Sequence, residues 1–106
     1  MRGVIKGVLA EELENSLRMK KGYEDALRKL PKGAIAVKKI RGHSYYYLVR
    51  RQGPKVKYIY KGKMSNDEKK VYSEAKVMRG KYRKLLSQAK KQIKFLRSSL
   101  RGKEAI

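Results

Sequence analysis

The fold is decided by residues 32–63, KGAIAVKKIRGHSYYYLVRRQGPKVKYIYKGK, in which segments rich in Val, Ile and Tyr alternate with glycine-containing breaks. These residue types favour the pleated, half-buried surface of a β-sheet. We predict strands at residues 34–40, 44–51 and 56–61, joined by Arg41-Gly42-His43 and by Gln52-Gly53-Pro54-Lys55. Glycine supplies unusual backbone angles and proline cannot donate to a strand ladder, so both connections are turns.

The predicted sheet carries a large positive charge that no acid balances. Residues 32–63 contain no Asp or Glu and ten basic residues: Lys32, Lys38, Lys39, Arg41, Arg50, Arg51, Lys55, Lys57, Lys61 and Lys63. Five tyrosines lie among them: Tyr45, Tyr46, Tyr47, Tyr58 and Tyr60. Lysine and arginine neutralise phosphates and release counterions, which gives affinity for nucleic acid without sequence recognition.

The segment before the sheet is predicted to be a helix over residues 8–30, after a loose start at residues 1–7. Leu9, Leu13 and Leu17 recur every four residues, and Pro31 disfavours helix at the residue before it. Gly22 weakens the middle by about 1 kcal/mol relative to Ala and could divide this helix in two.

The segment after the sheet begins with a capping box, Ser65-Asn66-Asp67-Glu68, and is predicted to be one helix over residues 66–101. An apolar stripe with heptad-like spacing runs along this helix and ends at Leu96 and Leu100. Because this helix is longer than the first, we expect its last four or five turns to overhang. The stripe there would need a protein partner or a second copy of the chain.

The predicted fold class is therefore α+β. A three-stranded antiparallel sheet (32–64) lies between an N-terminal helix and a long C-terminal helix, as a helical hairpin with the sheet at one end, in a single domain of residues 1–106. Thirty basic and nine acidic residues give a net charge of +21. Such a chain favours polyanions. Nucleic acid is the first expected partner, an anionic membrane surface the second and an acidic protein the third.

Other functional classes find little support in the sequence. No apolar run approaches the ~18 residues of a transmembrane helix, and we expect no signal peptide. Although an anionic membrane surface would attract the charge, we expect no membrane partner, because the basic residues are spread around the sheet and both sides of the second helix and are not segregated to one face. The absence of cysteine is compatible with a reducing compartment, and cytoplasmic localisation is the expectation. His43 is predicted to be a plain turn residue, and Ser44 beside it lacks an orienting acid. We therefore expect no enzyme activity, no metal and no cofactor.

The tyrosines divide between the two faces of the sheet, because neighbours in a strand alternate. Tyr45 and Tyr47 share one face of the second strand with Val49, and Tyr46 lies on the other. Tyr58 and Tyr60 share a face of the third strand. One face must cover a helix, so we expect most of the tyrosines to be structural and one or two to lie on the open face. There they could stack on bases while cations hold phosphates.

Three features of this region resemble the arm-type DNA-binding domain of tyrosine recombinases. They are Lys32-Gly33-Ala34-Ile35, then Tyr45-Tyr46-Tyr47-Leu48 before the Gly53 turn, then residues 58–63 leading into the capped helix. The likeness covers residues 32–78 and implies that the sheet enters the DNA major groove. A long helix before the sheet departs from that family, and no recombinase domain follows within these 106 residues. Leu30-Pro31-Lys32-Gly33 and the triple tyrosine also look like small basic proteins of phages and other microbial mobile elements.

We predict a non-enzymatic nucleic-acid-binding protein, with DNA or RNA as ligand, that uses the sheet and the basic end of the second helix. The candidate binding residues are Lys38, Lys39, Arg41, Tyr45, Tyr47, Arg50, Arg51, Lys55, Lys57, Lys61, Lys63, Lys90, Lys91, Lys94 and Arg97. The alternative is a small phage or mobile-element protein that inhibits a protein or nucleoprotein, of the CRISPR-effector-inhibitor or antitoxin type. Its partner, or a homodimer, would use the C-terminal helix as a coiled coil.

Overall fold

The computed structural model describes residues 2–104, which form a helix, a three-stranded sheet and a second helix. The elements are α1 (Arg2–Lys29), β1 (Ala34–Ile40), β2 (His43–Gln52), β3 (Lys55–Gly62) and α2 (Asn66–Glu104). The predicted α+β class is confirmed. The chain forms two compact units. The sheet unit is Leu30–Arg79, and the helical unit contains α1 and the part of α2 from Gly80 onward.

The sheet is antiparallel with the order β1-β2-β3, and both of its turns have two residues. Arg41 and Gly42 have φ angles of 52° and 81°, the positive pair of a type I′ turn. Gly53 has a φ of 59° and precedes Pro54, which is the pattern of a type II′ turn. The connections are therefore shorter than predicted. His43 is not a turn residue, because it opens β2 opposite Ile40.

Two further glycines fix the ends of the sheet. Gly33 has a φ of 103°, and a Cβ atom added to it would lie 2.8 Å from Leu48 Cδ1 and 2.9 Å from the Val49 carbonyl oxygen. At the other end, Tyr47 pairs with Tyr60 whereas Tyr46 pairs with Gly62. Lys61 is the extra residue of this β-bulge, and Gly62 after it has a φ of 70°.

One face of the sheet packs against the first half of α2. Leu48 on this packed face is only 5% exposed, and Met64 and Ala75 in the same unit are also buried. Lys69 of α2 donates a 2.8 Å hydrogen bond to the Tyr46 hydroxyl. Arg79, further along α2, donates a 2.6 Å hydrogen bond to the Pro31 carbonyl oxygen. Together these contacts hold the helix against β2 and against the segment that leads into β1.

The start of α2 uses the predicted cap. The Glu68 amide donates to the Ser65 hydroxyl at 3.2 Å, and the Lys69 amide donates to the Ser65 carbonyl oxygen at 3.1 Å. Among residues 2–104, the reciprocal bond from the Glu68 side chain to the Ser65 amide is not formed. The Ser65 hydroxyl therefore satisfies one of the amides that a helix start leaves without partners, and the Ser65 carbonyl accepts the first bond of the helix itself.

The helical unit buries the apolar stripe that was predicted to be free. Ile93 and Leu96 are each 5% exposed, and Ala89 is buried as well. Tyr23 of α1 contacts Tyr82 with ring centroids 6.3 Å apart. Lys20, almost one turn earlier in α1, lines a cleft with residues 90–101 of α2, so the two segments run in opposite directions.

The predicted overhang is therefore wrong. Helix α1 begins at Arg2 instead of Val8, because Gly3 and Gly7 lower helix propensity without preventing a helix. Neither Gly22 nor Gly80 interrupts its helix. Within the described range, neither helix contains a stretch that is long and apolar enough to cross a membrane.

Candidate nucleic-acid interface

Four of the five sheet tyrosines lie on one face, which we call the open face. Tyr47 is opposite Tyr60 in the register, and Tyr58 is opposite Val49. The Tyr47 and Tyr60 ring centroids are 5.3 Å apart, and those of Tyr45 and Tyr60 are 6.5 Å apart. Tyr58 and Tyr60 are 66% and 59% exposed. The expectation that only one or two tyrosines would lie on the open face is wrong.

Two shallow hollows lie side by side on the open face, and Tyr47 lines both of them. One has a volume of about 460 Å³ and is lined by Ala36, Val37, Lys38, Tyr47 and Tyr58. The other has a volume of about 410 Å³ and is lined by Ile40, Tyr45, Tyr47 and Tyr60. The centre of the face is thus aromatic and aliphatic, and a flat apolar ring would find contacts on either side of Tyr47.

Cations lie at the margins of the open face. Lys38 is opposite Tyr45 on the edge strand β1, and Arg51 is opposite Val56 near the second hairpin turn. Both side chains are exposed. Arg41 lies at the tip of the first hairpin, and its side chain is also exposed. Of the predicted binding residues in the sheet, Lys38, Arg41, Tyr45, Tyr47 and Arg51 therefore surround or form this face.

The other predicted sheet cations are not on the open face. Alternation along the strands places Lys39, Arg50, Lys55 and Lys57 on the side of Tyr46 and Leu48. The Arg50 stem lies against Gly33, because its Cγ would be 3.0 Å from a Cβ built there. Lys61 is the bulge residue, and Lys63 follows β3. The eleven predicted residues of the sheet unit thus do not form one continuous surface.

None of the ten basic side chains between Lys32 and Lys63 has an ion pair or hydrogen bond within the described part of the chain. The described ion pairs are within helices, as in Lys70 with Glu74 at 3.9 Å and Arg28 with Asp25. No described acidic residue therefore compensates the positive charge of the sheet, and mobile ions or a ligand must balance this charge.

A second cationic surface lies in the helical unit. Lys90, Lys94 and Arg97 line a cleft of about 230 Å³ with Lys20 of α1 and Arg101, and the buried Ile93 also lines it. The fourth predicted helix residue, Lys91, does not line this cleft. Sequence reasoning missed Lys20, because spacing within one helix does not show which residue of another helix faces it.

Tyr58 and Tyr60 were also missing from the predicted binding residues, although they are the most exposed tyrosines of the sheet. The alternation of residues along β3 places both tyrosines on one face, so the sequence contained a signal for them. The register of the second hairpin was needed to show that this face also carries Tyr45 and Tyr47. Among the side chains that the structure describes, no group of three or more His, Asp or Glu residues could hold a metal ion.

Comparison with known proteins gives a family and no activity. The model of a domain of unknown function, DUF6788, matches residues 8–71, which is more than half of the chain and includes the whole sheet. No curated protein and no solved structure matches.

Proposed function

We propose that this chain, which belongs to the DUF6788 family, is a non-enzymatic nucleic-acid-binding protein whose main contact is the open face of the sheet. The observation that carries the proposal is the combination of four tyrosines on one face with the exposed cations Lys38, Arg41 and Arg51 at its margins, in a stretch of ten basic residues that no described acid neutralises. Aromatic rings can pack on bases or sugars, and lysine and arginine can bind phosphates.

The charge of the sheet supports a polyanion as the ligand. A solvated protein surface normally mixes both signs of charge, and this stretch has one sign only. Concentrated cations raise the local concentration of a polyanion and speed its association. Phosphates spaced along a nucleic acid can meet Lys38, Arg41 and Arg51 around the open face. The proposed ligand is DNA or RNA, and its binding needs no cofactor. We propose that the protein is located in the cytoplasm.

The cleft of the helical unit supplies a second contact. Its five cations lack ion pairs with the described residues. Lys90, Lys94 and Arg97 are spaced three and four residues apart, which places them along one side of α2. A row of cations of this kind binds phosphates without reading bases, and so adds affinity but no sequence preference.

The alternative, a module that inhibits a protein or nucleoprotein partner, has less support. It depended on an apolar stripe left free on the C-terminal helix, and Ile93 and Leu96 of that stripe are buried. Phe95, at 67% exposure, is the large apolar side chain of this segment that remains available to a partner. A single exposed aromatic is a small contact compared with a protein interface.

The test is a salt titration of binding to labelled duplex DNA, single-stranded DNA and duplex RNA of equal length. We expect the logarithm of the binding constant to fall linearly with the logarithm of salt concentration, with a slope of about −0.9 per phosphate contact on duplex DNA and about −0.7 on single strands. The double substitution Lys38→Gln and Arg51→Gln should make the slope shallower by about one unit or more.

The matched control is Lys21→Gln with Lys29→Gln, which removes the same charge from exposed positions of α1. This control should change the slope of the salt dependence only slightly. Absence of binding to all three ligands at low salt would refute the proposal. Equal effects of the two double substitutions would mean that binding depends on the total charge of the protein and not on the positions of Lys38 and Arg51.

A further inference from the structure

We infer that the open face binds single-stranded nucleic acid, by stacking unpaired bases in the two hollows on either side of Tyr47. The inference rests on the proposed function and names its substrate class. It starts from the position of Tyr47, which lines both hollows and has the Tyr60 ring 5.3 Å away. Each hollow thus offers an aromatic wall to one base, and neighbouring hollows can receive neighbouring bases.

The exposure of the tyrosines suits stacking on an incoming ring. Tyr58 and Tyr60 each present more than half of their surface to solvent, one at each hollow. An exposed aromatic surface is available to a base without any rearrangement of the sheet. Stacking between a base and an aromatic side chain tolerates every sequence, because every base has a π-face.

A duplex fits this surface poorly. In a duplex the faces of the bases are covered by their neighbours, and the major groove presents only their edges. Those edges are read by hydrogen-bonding side chains such as Arg, Asn and Gln. The centre of the open face instead carries Ala36, Tyr47, Val49 and Tyr58. The major-groove docking implied by the recombinase resemblance would place Ala36 and Val49 where hydrogen-bonding groups are needed, and it would leave the ring faces of Tyr47 and Tyr58 without a base to stack on.

The margins of the face suit the backbone of a single strand. Lys38 lines one hollow and lies opposite Tyr45, near the start of β2. Arg51 lies on the same face, near the end of β2. A strand whose bases point inward to the tyrosines would keep its phosphates near such marginal cations. This division between an aromatic platform and a cationic border is the general arrangement of single-strand binding surfaces.

The experiment compares four ligands of equal length with the full chain, at low salt and at moderate salt. They are single-stranded DNA, single-stranded RNA, an abasic DNA strand with the same phosphates, and duplex DNA. The chain has eight tyrosines and no tryptophan, so its fluorescence comes from tyrosine, and stacking on the four tyrosines of the open face would quench part of it. We expect a base-bearing single strand to bind at least about tenfold more tightly than the abasic strand and to quench this fluorescence.

Substitutions locate the effect. Tyr58→Ala and Tyr60→Ala should each weaken binding of the base-bearing strand by about tenfold and leave binding of the abasic strand unchanged. Tyr60→Phe keeps the ring and should keep the affinity. Phe95→Ala removes an equally exposed aromatic from α2 and serves as the matched control. Because these side chains are exposed, the variants should fold, and thermal unfolding would verify this.

The outcomes separate the inference from the proposed function. Equal affinity for base-bearing and abasic strands, or tighter binding of the duplex, overturns base stacking but leaves a nucleic-acid binder. Failure to bind any of the four ligands at low salt overturns both. If base stacking holds, a difference between the DNA and RNA strands shows whether the sugar is recognised as well.

Discussion

Lys69 and Tyr46 form the side-chain contact that joins the sheet to the second helix. The Lys69 Nζ atom donates a 2.8 Å hydrogen bond to the Tyr46 hydroxyl and lies 4.5 Å from the centre of the same ring. Tyr46 is the member of the triple tyrosine that points toward α2, whereas Tyr45 and Tyr47 point to the open face. The triple therefore serves two purposes: its middle residue stabilises the fold, and its outer residues form the candidate interface.

Replacing Tyr46 by Phe should lower the free energy of unfolding by about 1 kcal/mol, because a part-buried hydrogen bond is lost while the ring is kept. Urea denaturation would measure this difference. Tyr45→Phe is the control, because the Tyr45 hydroxyl has no hydrogen bond with the described residues. If both substitutions had the same effect, the Lys69 contact would not contribute to stability.

Two glycine substitutions should have opposite signs. Gly33→Ala should destabilise the chain by more than 1 kcal/mol, because its φ of 103° is unfavourable for alanine and the new Cβ would meet Leu48 and the Val49 carbonyl. Gly22→Ala in the middle of α1 meets nothing within 4 Å and should stabilise by about 0.5–1 kcal/mol. Thermal unfolding would rank the two variants, and a stable Gly33→Ala protein would contradict the close approach of β2.

Arg79 should matter more than an average cation of α2. Its guanidinium donates to the Pro31 carbonyl at 2.6 Å in a part-buried setting, so Arg79→Met would leave that carbonyl without its donor. We expect a loss of about 1–3 kcal/mol in unfolding free energy. Arg83→Met, at an exposed position one turn later, should change stability by less than about 0.5 kcal/mol. Chemical denaturation of the two variants side by side would check the difference.

Leu96 and Phe95 are neighbours with different expected roles. Leu96 is 5% exposed, so Leu96→Ala should cost about 2–5 kcal/mol through the cavity it leaves. Phe95 is 67% exposed, so Phe95→Ser should leave stability nearly unchanged.

This pair also provides the test for a protein partner. Polar replacement of Leu96 and Leu100, at the end of the apolar stripe, would unfold the helical unit. A loss of partner binding in that variant could not be separated from the loss of structure. Loss of a partner or of a dimer in Phe95→Ser, measured by sedimentation, would instead support the interaction module.

The sequence predicted the elements well because their signals are local. Segments rich in Val, Ile and Tyr between glycine-containing breaks marked the strands, Ser65 with Glu68 marked the start of α2, and Pro31 marked the end of α1. Which tyrosines share the open face was not local information. It depends on the register between β2 and β3, which the two-residue turn at Gly53 and Pro54 sets.

The helical unit shows the same limit. The first turns of α1 contain Gly3 and Gly7, and propensity alone placed the helix start later than it is. Helix α2 has 39 residues and α1 has 28, but residues 66–79 of α2 belong to the sheet unit, and only the part from Gly80 onward belongs with α1. The apolar stripe is therefore buried because the second half of α2, and not its first half, lies against α1.

The bulge at Lys61 lets β3 take up one extra residue without losing its register. Tyr60 stays opposite Tyr47 before the bulge, and Gly62 stays opposite Tyr46 after it. Deleting Lys61 should therefore keep both pairs and leave the tyrosine face in place. The deletion would instead remove the local bend and the added twist that a bulge gives to its strand, at the point where the chain leaves the sheet for α2.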